Sequence, residues 1–156
     1  MDTIVEDIKS ILNKKEKGND PEMEKQEEIA SNGYKKILVT EDEPALLHVL
    51  QDKFSSEHFK VFGASNGQEG LKLALAKHPD FILADILMPK MDGISMLKEL
   101  RKDPWGKTVP VIVLSNLNDE QMVADSLQQG AYDYLIKSDW NIDDIVKKVE
   151  KKLGME

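Results

Sequence analysis

The chain has 156 residues, 29 acidic and 21 basic side chains and a formal net charge of −8; that is room for one domain with a core and a poor partner for nucleic-acid phosphates or an anionic membrane. It contains no cysteine, which excludes disulfides, zinc–thiolate sites and cysteine nucleophiles. No apolar run approaches the roughly 20 residues of a membrane span, and the acidic start MDTIVEDIKS lacks a signal-peptide core, so a cytoplasmic location is the default expectation.

Residues 1–33 stand apart from the rest. They carry nine acidic and five basic side chains, half of the net charge. Ile4, Val5, Ile8, Ile11 and Leu12 recur at helical spacing and predict a short amphipathic helix. Charged text broken by Gly18, Asn19, Asp20 and Pro21 follows, as in a linker. A dimerising or partner-binding helix, the end of a preceding domain and a simple tail are all open for this extension.

From Tyr34 to Glu156 strand-like and helix-like text alternates, and we read these residues as one domain. Strands are predicted over Lys36–Thr40, Phe59–Gly63, Phe81–Ala84, Val109–Leu114 and Tyr132–Ile136. Helices are predicted over Pro44–Ser55, Gln68–Lys77, Ile94–Arg101, Glu120–Gln129 and Ile142–Leu153. The strands are near-continuous apolar runs, which places helices on both sheet faces. Five βα units with right-handed crossovers give an α/β fold with a five-stranded parallel sheet, most simply in the order 2-1-3-4-5.

Such sheets bind ligands beyond the carboxyl ends of their strands, where the strand order reverses. Polar residues gather there. Glu41 and Asp42 follow the first strand, Asp85 the third, Ser115 the fourth and Lys137 the fifth. Three carboxylates brought together repel, so either one is protonated or a cation sits among them. A small set of oxygen donors open to water suits Mg²⁺ better than Zn²⁺ or Ca²⁺. A divalent cation, an ammonium and a hydroxyl around one carboxylate form a receptor for a phosphoryl group, with Asp85 as nucleophile. Each residue alone also has a purely structural reading. Acids before Pro44 favour a helix dipole, Asp92-Gly93 reads as a turn or N-cap, and Lys137 as a solvated charge. His48, His58 and His78 fall away from the strand ends and are expected on the surface.

The segments KILVTEDEPALL, PDFILADILMPKMDG, VPVIVLSN and GAYDYLIK together resemble the receiver domain of two-component response regulators, over roughly residues 35 to 153. The resemblance implies a flavodoxin-like (βα)5 fold and phosphotransfer to Asp85 from a sensor histidine kinase or phosphotransfer protein. It implies Mg²⁺ held by Asp42, Asp85 and the backbone carbonyl of Leu87, with Glu41 acting through water or directly. It also implies that Ser115 and Lys137 grip the phosphoryl group and that Tyr134 is the aromatic switch that follows Ser115. The family's usual output surface, the face of helix 4, strand 5 and helix 5, implies a downstream protein target. Direct nucleic-acid contact is not expected, no effector domain such as a winged helix is expected within these residues, and a homodimer is open.

Two residues depart from the family pattern. Asn116 stands where a small residue is usual, which bears on access to the phosphoryl group. Ser138 stands where proline is usual, so the loop Ser138-Asp139-Trp140 is expected to take another shape, with Asn141 capping the last helix. A receiver-fold binding module that signals without phosphate is therefore a second reading. A small Mg²⁺-dependent phosphohydrolase or flavodoxin-like protein is a third, disfavoured because GASNGQEG does not fit a dinucleotide-binding glycine pattern.

Overall fold

The computed structural model describes residues 33–117 and 119–155; the helix predicted around residues 4–12 lies outside them. The elements are β1 (Lys35–Thr40), α1 (Pro44–Ser56), β2 (Phe59–Ala64), α2 (Gly67–Lys77), β3 (Phe81–Ala84), α3 (Gly93–Lys102), β4 (Val111–Ser115), α4 (Glu120–Gln128), β5 (Asp133–Ile136), a 3₁₀ turn (Lys137–Asp139) and α5 (Ile142–Leu153). All five strands are parallel, in the order β2-β1-β3-β4-β5, as the sequence predicts.

Alternation along the strands divides the core into two layers. Ile37, Val39, Phe81, Leu83, Ile112, Leu114 and Leu135 pack with Leu50 and Phe54 of α1 and Ile145, Val146 and Val149 of α5. Leu38, Ile82, Ala84, Val111 and Val113 pack on the other face with α2 and α3 through Leu71, Ala74, Met96, Leu97 and Leu100. Phe81, Ile82, Leu83 and Ala84 of β3 are at most 2 % exposed, which explains why the central strands read as unbroken apolar text.

Helix starts carry their own stops. Pro44 opens α1 within its first turn. The side chains of Asn66, Asp92, Asp119 and Asn141 accept backbone N–H bonds at the starts of α2, α3, α4 and α5. The cap expected at Asn141 is thus present, donated by the Asp144 N–H at 2.8 Å. The cap reading of Asp92 also holds, with the Ser95 N–H at 2.8 Å.

β4 begins two residues later than predicted. Pro110 has no N–H for a ladder, although its carbonyl still accepts from the Ile82 N–H at 3.0 Å. The segment after β5 forms a 3₁₀ turn, and no peptide bond among the described residues is cis.

Two glycines clamp the loop after β3. A Cβ on Gly93 would lie 2.0 Å from the Asp85 carbonyl oxygen, and one on Gly67 would lie 2.1 Å from that of Met91. The N–H of Gly67 donates to Met91 at 2.9 Å, and that of Gly93 to Ile86 at 2.9 Å. The loop therefore sits against the starts of α2 and α3 at a distance no side chain permits.

Arg101, at the end of α3, ties together two loops, the one before β4 and the one before β5. Its Nε donates to the Gln129 carbonyl at 2.9 Å, one terminal nitrogen to Gly106 and Val109 at 2.8 Å each, and the other to Gly130 at 3.0 Å. Burial pulls the guanidinium below its ordinary pKa. A lysine ammonium has a single centre and cannot span four carbonyls. Arg101→Lys is expected to cost about 2 kcal/mol, from orphaned carbonyls, measured as a lowered urea midpoint with unchanged slope.

Candidate functional site at the carboxyl ends of the strands

The ladder runs one residue beyond the strands. The Asp85 N–H donates to the Thr40 carbonyl at 3.0 Å, and the Glu41 N–H to the Ala64 carbonyl at 3.0 Å. This fixes the Glu41 and Asp85 backbones side by side at the place where the strand order reverses. Glu41 and Asp85 are buried, at 2 % and 6 % exposure, while Asp42 is exposed. One carboxylate oxygen from each of the three lies within 4.8 Å of the others. At an effective dielectric of 20, two charges at that separation repel by about 3.5 kcal/mol, so the cluster needs positive charge.

Lys137 supplies part of it. Its ammonium donates to Glu41 Oε2 at 2.8 Å and to Asp85 Oδ2 at 2.9 Å. The other oxygens have backbone donors: Glu43 N–H to Glu41 Oε1 at 3.2 Å and Ile86 N–H to Asp85 Oδ1 at 2.7 Å. Burial pushes the Glu41 carboxyl above the ordinary range; Lys137 opposes this and the Asp85 charge adds to it. Burial pulls the Lys137 ammonium down, but its bonds to Glu41 and Asp85 outweigh that and leave it above the ordinary lysine value.

Ser115 closes β4 and is 1 % exposed. Its Oγ accepts from the Leu117 N–H at 3.3 Å. The Leu117 carbonyl in turn accepts from the Tyr134 hydroxyl at 2.6 Å. Desolvation raises the Tyr134 phenol above its ordinary pKa. Serine and tyrosine are therefore joined through the backbone of one residue. Leu87 stands two residues past Asp85 with a 58 % exposed side chain, and Asn116 is exposed beside Ser115.

The structure thus brings Glu41, Asp42, Asp85 and Lys137 together and places Ser115 at the end of the adjoining strand. The direct ion pair between Lys137 and Glu41 was not foreseen, since a lysine 96 positions away carries no mark of its partner. Nor was the Leu117 link, which is made by backbone atoms, or the role of Arg101. The histidines lie on the surface as expected, with His78 stacked on Trp105 at 4.4 Å. No helix among the described residues is long and apolar enough to cross a membrane.

Residues 37–150 match the response regulator receiver domain family. The regulatory protein AtoC of Escherichia coli (strain K12) is 34 % identical over 121 residues, 78 % of this chain and 26 % of that protein. The chain spans less than half the length of the curated relatives it matches. Two solved structures share the fold and more than a quarter of the aligned residues. One is the CheX–CheY–BeF₃–Mg²⁺ complex from Borrelia burgdorferi, at 28 % identity and TM-score 0.70 over 80 % of this chain and 93 % of that one. The other is the receiver domain of a Pseudomonas aeruginosa sensor histidine kinase with magnesium coordinated in its active-site cleft, at 27 % identity and TM-score 0.71 over 78 % of this chain and 99 % of that one.

Proposed function

This chain belongs to the response-regulator receiver family of two-component signalling, and on that footing we propose that it is a phosphoacceptor switch whose phosphoryl group is carried by Asp85. The supporting observation is the carboxylate cluster with the Lys137 ammonium 2.9 Å from Asp85. The donor would be a phosphohistidine on a sensor histidine kinase or phosphotransfer protein. The readout would be a downstream protein bound at the α4, β5 and α5 surface. Residues 34–156 would be the receiver unit, with 1–33 as an extension. A cytoplasmic location belongs to the same reading.

Three carboxylates with one ammonium, offering only oxygen, fit a hard divalent cation. Asp42, Asp85 and Glu41 with the Leu87 carbonyl would hold Mg²⁺; a receiver-domain relative carries magnesium in its active-site cleft. When bound, Mg²⁺ supplies charge neutralisation on the phosphoryl oxygens. The chain's own groups do the rest. An Asp85 carboxylate oxygen attacks phosphorus. The O–P bond forms as the N–P bond of the donor breaks, and the electron pair returns to the imidazole nitrogen, which takes a proton from solvent. Lys137 turns a donor from the carboxylate to a phosphoryl oxygen, and Ser115 donates its hydroxyl hydrogen to another. Any shift of Ser115 then loosens Leu117, the residue that Tyr134 holds.

Acetyl phosphate with Mg²⁺ is expected to add one phosphoryl unit to the intact mass, mapped by peptide analysis to Asp85. An unchanged mass would favour the phosphate-independent binding module, for which Asn116 at the rim is the main support. Asp42→Asn is expected to weaken Mg²⁺ binding about tenfold or more by calorimetric titration, because one of three charged oxygen donors becomes a neutral amide.

A further inference from the structure

Lys137 stands on weak backbone footing for a group that two buried carboxylates share. It follows β5, a four-residue edge strand paired with β4 alone. The 3₁₀ turn that Lys137 opens is closed by the Trp140 N–H donating to the Lys137 carbonyl, and at 3.5 Å that bond is at the limit of hydrogen bonding. Ser138 and Asp139 are exposed, and neither has the ring with which a proline fixes φ. Strand and turn by themselves therefore place the lysine loosely. Its ammonium nevertheless meets Glu41 Oε2 at 2.8 Å and Asp85 Oδ2 at 2.9 Å.

Support comes from α5. The Lys148 ammonium lies 2.7 Å from Asp133 Oδ2, at the first residue of β5. It also lies 5.3 Å from the centre of the Trp140 ring, at the residue that ends the turn. One cation thus holds both ends of the stretch 133–140 in which Lys137 lies. Its ion pair is with Asp133 and not with Asp144, the acid one turn earlier on its own helix. The Trp140 ring packs against the core layer that contains Leu135, Ile145 and Val146, and Asn141, next in the chain, caps α5. The Lys148 and Asp133 side chains are 26 % and 37 % exposed, and contacts of this kind add little to global stability. Their effect falls on where the turn lies, not on whether the domain folds.

We propose that Lys148 and Trp140 are positioning residues for Lys137. The ammonium–indole contact and the Asp133 ion pair together dock β5 and the turn on α5, and so aim the Lys137 ammonium at Glu41 and Asp85. The positioning stands apart from the switch reading above, whereas its consequence for phosphoryl transfer rests on that reading.

The test uses the isotope-labelled full chain, first without metal or phosphoryl donor. An ammonium held by two carboxylates makes strong charge-assisted hydrogen bonds and exchanges its protons slowly. Lys137 is therefore expected to give a resolved ammonium signal in proton–nitrogen spectra, assigned by its loss in Lys137→Met. Lys148→Met and Trp140→Leu are each expected to weaken that signal about threefold or more. Lys148→Arg and Trp140→Phe, which keep the cation and the aromatic face, are expected to retain it. The urea midpoint of Lys148→Met should stay close to that of wild type. Phosphoryl uptake from acetyl phosphate with Mg²⁺, measured next, should slow about fivefold in the two disruptive variants and stay within about twofold of wild type in the two conservative ones. An absent Lys137 signal in wild type, a signal that Lys148→Met leaves unchanged, or equal losses in disruptive and conservative variants would overturn the proposal. So would a urea midpoint that falls in step with the signal, or wild-type uptake rates in both disruptive variants. Signal losses in the expected pattern with no uptake by any of the proteins would uphold the positioning and overturn the switch reading instead.

Discussion

Asp85→Asn is expected to take up no phosphoryl group from acetyl phosphate and Mg²⁺, with its fold intact. The amide has nearly the shape of the carboxylate, and its oxygen can still accept the Ile86 N–H that now reaches Oδ1 at 2.7 Å. What is lost is the anionic oxygen that the proposed transfer needs as its nucleophile, a change of mechanism and not of degree. Lys137 keeps Glu41 as its partner at 2.8 Å, so no buried ammonium is stranded. Ser115→Ala and Lys137→Met, by contrast, remove groups that we propose stabilise charge on the transferring phosphoryl group, and are expected to slow uptake without abolishing it. Intact-mass measurement reads the outcome, with far-ultraviolet circular dichroism as the folding control. Labelling of the asparagine variant to the wild-type extent would mean that the acceptor lies elsewhere.

The second large effect is on stability. Lys137→Met keeps much of the side-chain volume but removes the charge that Glu41 and Asp85 share. Both carboxylates are at most 6 % exposed, and withdrawing the partner of a buried ion pair costs roughly 3–5 kcal/mol. Without metal the variant is therefore expected to unfold at a markedly lower urea concentration than wild type. Saturating Mg²⁺ should then stabilise the variant more than wild type, because a divalent cation relieves repulsion that Lys137 no longer offsets; ligand at a hundred times its dissociation constant contributes about 2.7 kcal/mol. Equal midpoints in the absence of metal, or a gap that Mg²⁺ leaves unchanged, would show that the ammonium is not what neutralises the cluster.

Most of the architecture was legible in the residues. The unbroken apolar runs of β1, β3 and β4 demanded a sheet covered on both faces, and the fifth βα repeat set the number of strands. The sequence also placed Glu41, Asp42, Asp85, Ser115 and Lys137 at strand ends, because register in a parallel sheet makes the end of each strand a fixed address. It could not supply pairings that depend on distance. Nothing in the text around Lys137 says that it will divide its hydrogen bonds between Glu41 and Asp85, and nothing near Arg101 distinguishes it from a solvated helix end. Backbone-mediated links such as Leu117 between Ser115 and Tyr134 leave no trace in residue types at all. The late start of β4 is legible in Pro110, which cannot donate to a ladder, although the residues on either side of it favour strand.

The pair between Lys137 and Glu41 closes 96 residues of chain, and that between Lys137 and Asp85 closes 52. Loops of that size carry a closure cost that only a nearly finished fold can offset. During synthesis the two buried acids emerge long before the ammonium that pairs with them, and β5, which Lys137 directly follows, is an edge strand held on one side alone. Glu41 and Asp85 therefore gain their shared ammonium only once β5 has joined the sheet, and they lose it when that rim strand frays.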